Sequence, residues 1–140
     1  MFCGVVCWYR AWALADPHRF RLVFTTPHGS GRVDPGRTIP PAHRGMITFL
    51  EAIAAVGPPA DTVPPARNAL ERQLERWAAN RPGGPELPAA VLQLGVLAWT
   101  RLHGLVSLEL EGAFAAMELD PAQLFAAEVD HLIAQGVRPL

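Results

Sequence analysis

The apolar positions of this chain recur at helical spacing through most of its length, and one run is apolar on two sides. From about Leu87 to Leu110 one stripe carries Leu92, Val96, Trp99, His103, Val106 and Leu110. A different face carries Leu94, Leu97, Ala98, Leu102, Leu105 and Leu108. A surface helix hides one stripe and wets the rest. A helix apolar on both sides must be covered twice, and a small domain is expected to cover only one side with its own core. A second copy is expected to cover the other, so the pattern predicts an obligate homodimer.

Punctuation divides the chain into six predicted helices. The first runs from about Cys3 to Ala15, with Trp8, Trp12 and Ala15 along one side and Val5 and Tyr9 beside it. Asp16-Pro17 restarts the chain, because Asp suits an N-cap and proline at the first helical position lacks only a donor that would be orphaned anyway. The second helix carries Phe20, Leu22, Val23 and Phe24 and stops near Thr26-Pro27. Residues 27–41, rich in Gly and Pro, read as a long loop, mobile or functional or both. His43, Met46, Ile47, Leu50, Ile53 and Ala54 predict a third helix over 42–56. Pro64-Pro65 opens a more polar fourth over 66–80, with Leu70, Leu74 and Trp77 as its apolar side and Arg67–Glu71 and Arg72–Glu75 as local charge pairs. The double-faced fifth helix extends from about Pro88 to Gly112. Asp120-Pro121-Ala122-Gln123 caps the sixth, which runs to Gln135 and buries Leu124, Phe125, Glu128, Val129, Leu132 and Ile133. Gly136 suits the position after a helix end, and Pro139 prevents continuation. No segment of period two competes, so the predicted class is all-α.

Composition narrows the function. The chain has 140 residues, half of them hydrophobic, which fits one domain with a real core and excludes a disordered chain. All twelve basic residues are arginine, and the formal net charge of −1 is too neutral for a domain that lives on phosphate contacts. The charge is uneven: residues 1–44 hold six Arg against Asp16 and Asp34, and the remainder is acidic. This basic first third either faces a nucleic acid or neighbouring domain or is an ordinary solvated surface. Cys3 and Cys7, spaced four apart, lack the further donors that a metal site needs and read as buried or reduced thiols of a cytosolic protein. No signal peptide is evident. The 87–110 run has the length of a membrane span, but Gln93, Arg101, His103 and Glu109 lie within it or at its end, and charge inside a span is expensive.

Three blocks carry a resemblance. Arg10-Ala-Trp12-Ala-Leu-Ala-Asp16-Pro-His-Arg-Phe20-Arg-Leu-Val-Phe24 looks like the opening of the regulatory domain of TetR-family transcription repressors. Trp99-x-x-x-His103-Gly104 resembles the motif that names the actinobacterial WHG type of that domain. Phe114 to Asp130 resembles its last segment. The resemblance implies a regulatory domain spanning 1–140 that binds a small apolar effector and dimerises through its last two long helices as a four-helix bundle. It also implies a DNA-reading helix-turn-helix upstream of the first helix, absent from these residues, so the chain alone is expected not to bind an operator. The basic first third would then lie near where that reader attaches.

The effector pocket is expected to draw on Trp12, Phe20, Phe24, Met46, Phe49, Leu50, Trp99 and His103; the alternative is that these residues are plain core. His103 reads either as a polar handle for an effector or as a structural histidine bonded within its own subunit. The dimer seam is expected to use Leu97, Arg101, Gly104, Leu105, Leu108, Phe125, Glu128, Val129 and Leu132. A mid-helix glycine at 104 costs about 1 kcal/mol relative to Ala, which close helix approach at the seam, with Ser107 beside it, would offset. No cofactor, metal or membrane partner is expected. Ser107 and His103 share a side of one helix, but no orienting group or oxyanion site accompanies them, so no enzyme is expected. The alternative reading is a stand-alone dimeric module for an apolar small molecule, no longer a transcription factor.

Overall fold

The computed structural model describes residues 2–24, 35–55, 68–80 and 87–136. They form six α-helices: α1 (Phe2–Ala15), α2 (Pro17–Phe24), α3 (Pro35–Ala54), α4 (Ala69–Ala79), α5 (Ala89–Leu110) and α6 (Pro121–Gly136). A single 3-10 turn at Ala115–Met117 precedes α6, and the described residues include no strand. The all-α class is therefore as expected.

Local chemistry sets most of the boundaries. The Asp16 carboxylate accepts from the Arg19 backbone N–H at 3.0 Å and starts α2. Asp120 caps α6 by accepting from the Ala122 N–H at 2.9 Å, and the Gln123 amide donates to its other oxygen at 3.0 Å. Helix α5 ends in a Schellman arrangement. Gly112 has φ +74°, its N–H bonds the Glu109 carbonyl, and the Ala113 N–H bonds the Leu108 carbonyl.

Two boundaries differ from expectation. Helix α3 begins at Pro35 and not near Ala42, so residues 35–41, expected in a loop, are helical. Proline's fixed φ suits a helix start, and Pro35 occupies the first position. Pro40 and Pro41 remove backbone donors from the second turn but hold the same helical φ. The rest of the expected loop, 27–34, lies outside the described residues, as do Pro64-Pro65 and Arg67. Helix α4 starts later than expected, on Asn68, through a capping box in which Asn68 accepts from the Glu71 N–H at 2.9 Å while Glu71 accepts from the Asn68 N–H. Glu71 thus serves the helix start.

Helix α5 is the axis of the fold: α1, α3, α4 and α6 all pack on it, and α2 packs on α1 and α3. Ala89, Val91, Leu92, Gly95, Ala98, Leu102 and Val106 are its buried positions. They draw on both apolar stripes seen in the sequence, because the chain itself covers more than one side of the helix. The strip left open is narrow and contains Leu97 and Leu108, 45% and 48% exposed. Helix α5 is long and apolar enough to cross a membrane by length and composition, but here it is the helix on which the others pack. The chain itself thus covers part of both apolar faces and leaves this strip open. Phe125, Val129 and Leu132, expected at a dimer seam, are buried in the subunit's own core.

The glycine that permits close helix approach within the chain is Gly95. A Cβ there would collide with the side chain of Leu50, which is fully buried on α3. A Cβ on Gly104 would meet nothing within 4 Å. Gly95→Ala and Gly104→Ala gain the same helix propensity, so their difference isolates the collision. Gly95→Ala is expected to be the less stable of the two by roughly 1–3 kcal/mol. Urea unfolding measures this, and equal midpoints would mean that α3 and α5 are not in this register.

Candidate effector cleft

The core side of α1 is Phe2, Val6 and Ala13. Its Gly4, Val5, Trp8, Tyr9 and Trp12 therefore turn toward α2 and α3 and line a cleft of about 570 Å³. Helix α2 adds Arg19, Val23 and Phe24, helix α3 adds Gly45, Thr48 and Phe49, and Trp99 of α5 contributes to the lining. Trp8 is 67% exposed, so the cleft meets solvent there. Small-molecule sites have this size and this mostly apolar, aromatic lining.

An aromatic cluster backs the cleft. The Tyr9 ring lies 5.1 Å from Trp99 and 6.2 Å from Phe20, centroid to centroid. Phe24 stands edge-on to His103 at 4.8 Å, and Trp99 stacks on His103 at 5.5 Å. Phe49 meets Trp99 edge-on at 5.6 Å, while Trp8 and Trp12 stack at 6.4 Å. These offset and T-shaped pairs are the arrangements that ring quadrupoles favour.

Two polar contacts join α1 to α5. The Tyr9 hydroxyl lies 2.7 Å from His103 Nδ1. Burial holds the His103 pKa below its ordinary value of 6.5 and raises that of Tyr9, so both are neutral near pH 7. With the imidazole proton on Nε2, the hydroxyl donates to Nδ1. One residue on, Arg10 donates to both oxygens of Glu109, at 2.8 and 2.6 Å, and its guanidinium lies 5.6 Å from the Phe125 ring centre. The Arg10 and Glu109 side chains are 22% and 13% exposed, so the fork is largely shielded from water. The hydrogen bonds to Glu109 raise the Arg10 pKa further.

Of the residues expected in a pocket, Trp12, Phe24, Phe49 and Trp99 line this cleft. Phe20 and Leu50 do not, being fully buried behind it. Met46 is half-buried on α3 and does not line it. His103 is not among the lining residues, and its Nδ1 is engaged by Tyr9. Sequence reasoning missed Trp8, Tyr9, Val5, Val23, Thr48, Arg19 and the two glycines. A usable signal was the Gly4, Trp8, Trp12 row on α1 facing Gly45 and Phe49 on α3. A Cβ on either Gly4 or Gly45 would meet nothing within 4 Å, so missing side chains help make the space.

Three of the six arginines in the basic first third have acidic partners. Arg10 is held by Glu109, Arg19 pairs with Asp16 at 3.4 Å, and Arg21 pairs with Glu111 at 3.5 Å. Cys3 and Cys7 are free thiols but exposed, not buried, because the core side of α1 falls on Phe2 and Val6.

A single helical axis wrapped by other helices, with an aromatic cleft at one side, defines an all-helical domain. The chain belongs to the family described as Tetracyclin repressor-like, C-terminal domain, which matches residues 4–132. It is also similar to the crystal structure of "putative regulatory protein SCO4313", with 34% sequence identity and a TM-score of 0.71. That likeness covers 94% of this chain and 59% of the other, so the chain spans well under two thirds of that protein's length. No curated protein matches it.

His103 makes stability depend on pH in a defined direction. Above pH 6.5 it is neutral whether the chain is folded or not. As pH falls through that value the unfolded chain takes up a proton that the folded chain resists, so folding weakens toward acid. Unfolding free energies at pH 7.5 and 5.5 are expected to differ less in His103→Gln than in the unaltered protein. An identical acid loss in both would remove His103 from this role.

Proposed function

We propose that this chain is the effector-binding and dimerisation domain of a cytoplasmic TetR-like transcriptional regulator. The observation that carries the reading is the aromatic cleft between α1, α2 and α3, in a chain of the TetR-like C-terminal family. Trp12, Phe24, Phe49 and Trp99 would contact a small apolar effector directly, joined by Trp8 and Tyr9, while Phe20, Leu50 and His103 would support the wall. The effector would act by linkage, favouring one packing of α1 on α5 and so altering the geometry passed to a DNA-reading domain.

Dimerisation would use the open strip of α5 and the adjoining face of α6. Leu97, Gly104 and Leu108 lie on that strip, and Leu105 beside them is half-buried. Arg101 spans the two helices, reaching Glu128 and Gln135 at 3.4 Å. With no Cβ at 104, a second helix could approach closely there, which supplies a reason for glycine at a position where nothing in the chain demands it.

Two measurements test the two halves. Sedimentation is expected to give a species of twice 15.2 kDa, and Leu97→Asp with Leu108→Asp to return it to one chain. A single-chain mass for the unaltered protein would remove the dimer. The neutral fluorophore N-phenyl-1-naphthylamine is expected to bind the cleft. Gly45→Leu, whose side chain enters open space, is expected to weaken it about tenfold with folding unimpaired, as lost access to an apolar pocket requires. Unchanged binding in that variant would place the probe elsewhere.

A further inference from the structure

The polar groups of the cleft are one-sided. Among its lining residues the polar side chains are Arg19, Thr48, Tyr9 and the three tryptophans, Trp8, Trp12 and Trp99. The Tyr9 hydroxyl is engaged with His103 at 2.7 Å. Guanidinium and indole N–H groups donate and cannot accept. Among the described residues, none that lines the cleft carries a carboxylate or a side-chain amide. Apart from the Thr48 hydroxyl and the Tyr9 oxygen, whose proton is given to His103, the described wall offers hydrogen-bond donors and one positive charge, and a ligand that supplies acceptors matches it.

An aromatic cage without charge would equally suit a cation, drawn to the ring faces. Here a cation would meet the charge of Arg19 with no lining carboxylate to offset it. Asp16 does approach Arg19, 3.4 Å from its Nε, but Asp16 does not line the cleft, and its Oδ1 accepts from the Arg19 backbone N–H. That contact engages Nε and leaves the guanidinium's two terminal nitrogens as further donors.

We propose that the occupant of this cleft is an apolar molecule bearing a single anionic head group. Its body lies among Trp8, Trp12, Phe24, Phe49 and Trp99, and its head meets Arg19. The inference rests on the cleft being the effector site and adds the chemical class of the effector.

Two fluorescent probes with the same fused-ring body separate the possibilities, the anionic 8-anilino-1-naphthalenesulfonate and the neutral N-phenyl-1-naphthylamine. Each is titrated into the full chain at low and high salt. The sulfonate is expected to bind more tightly than the neutral probe. Arg19→Gln is expected to weaken the sulfonate roughly two- to fivefold, the range of an exposed charge pair, and to leave the neutral probe unchanged. Arg19→Lys is expected to retain part of the preference, and salt to weaken the sulfonate alone. Equal affinity for both probes, or an equal loss of both in Arg19→Gln, overturns the anionic class while leaving an apolar cleft in place. A sulfonate signal that survives Gly45→Leu arises outside the cleft and also counts against it. If neither probe binds, the reading of the cleft as an effector site falls, and this inference with it.

Discussion

The position of α1 on α5 depends on a guanidinium–carboxylate fork that is mostly withdrawn from water. Arg10 and Glu109 satisfy each other through two N–H donors, and removing one partner would strand the other in a poorly hydrated place. The neighbouring residue, Tyr9, makes a second polar contact, to His103. Two consecutive residues of α1 thus hold it to α5. The cleft lies along α1 between these contacts and α3.

The same grip links that space to the outer side of the fold. Trp99 lines the cleft and stacks on His103, which meets Tyr9 and lies one residue before Gly104 on the outward strip of α5. A guest pressing on Tyr9 or Trp99 therefore bears on the residues that set how α1 sits on α5. Buried packing transmits such a push because interiors are dense and yield little. The coupling distance is short, a matter of one or two turns of a single helix.

Much of this could be read from residue order alone. Both Asp-Pro helix starts, at Asp16 and Asp120, act through side-chain acceptors on backbone N–H groups, which is local chemistry. The all-α class followed from spacing, and four of the cleft residues followed from aromatic positions. Other parts depended on packing between distant segments. Helix α3 begins at Pro35 where Gly and Pro argued for a loop, because a proline that opens a helix and one that breaks it read alike in a sequence. Sequence left the role of His103 open because its partner lies 94 residues away. The Arg10 acceptor lies 99 residues away and has no local signal. Which helices cover α5 was beyond the sequence for the same reason, since stripes record that a face is apolar and not which helix meets it.

The two cleft glycines have a consequence for how this domain could diversify. Their empty surroundings belong to the cavity, whereas Gly95 sits against the buried side chain of Leu50. Changes at positions 4 and 45 would therefore resize the chamber while the interior that holds the bundle together stays as it is. Guest preference and architecture are written at separate addresses, so one can drift without dragging the other along.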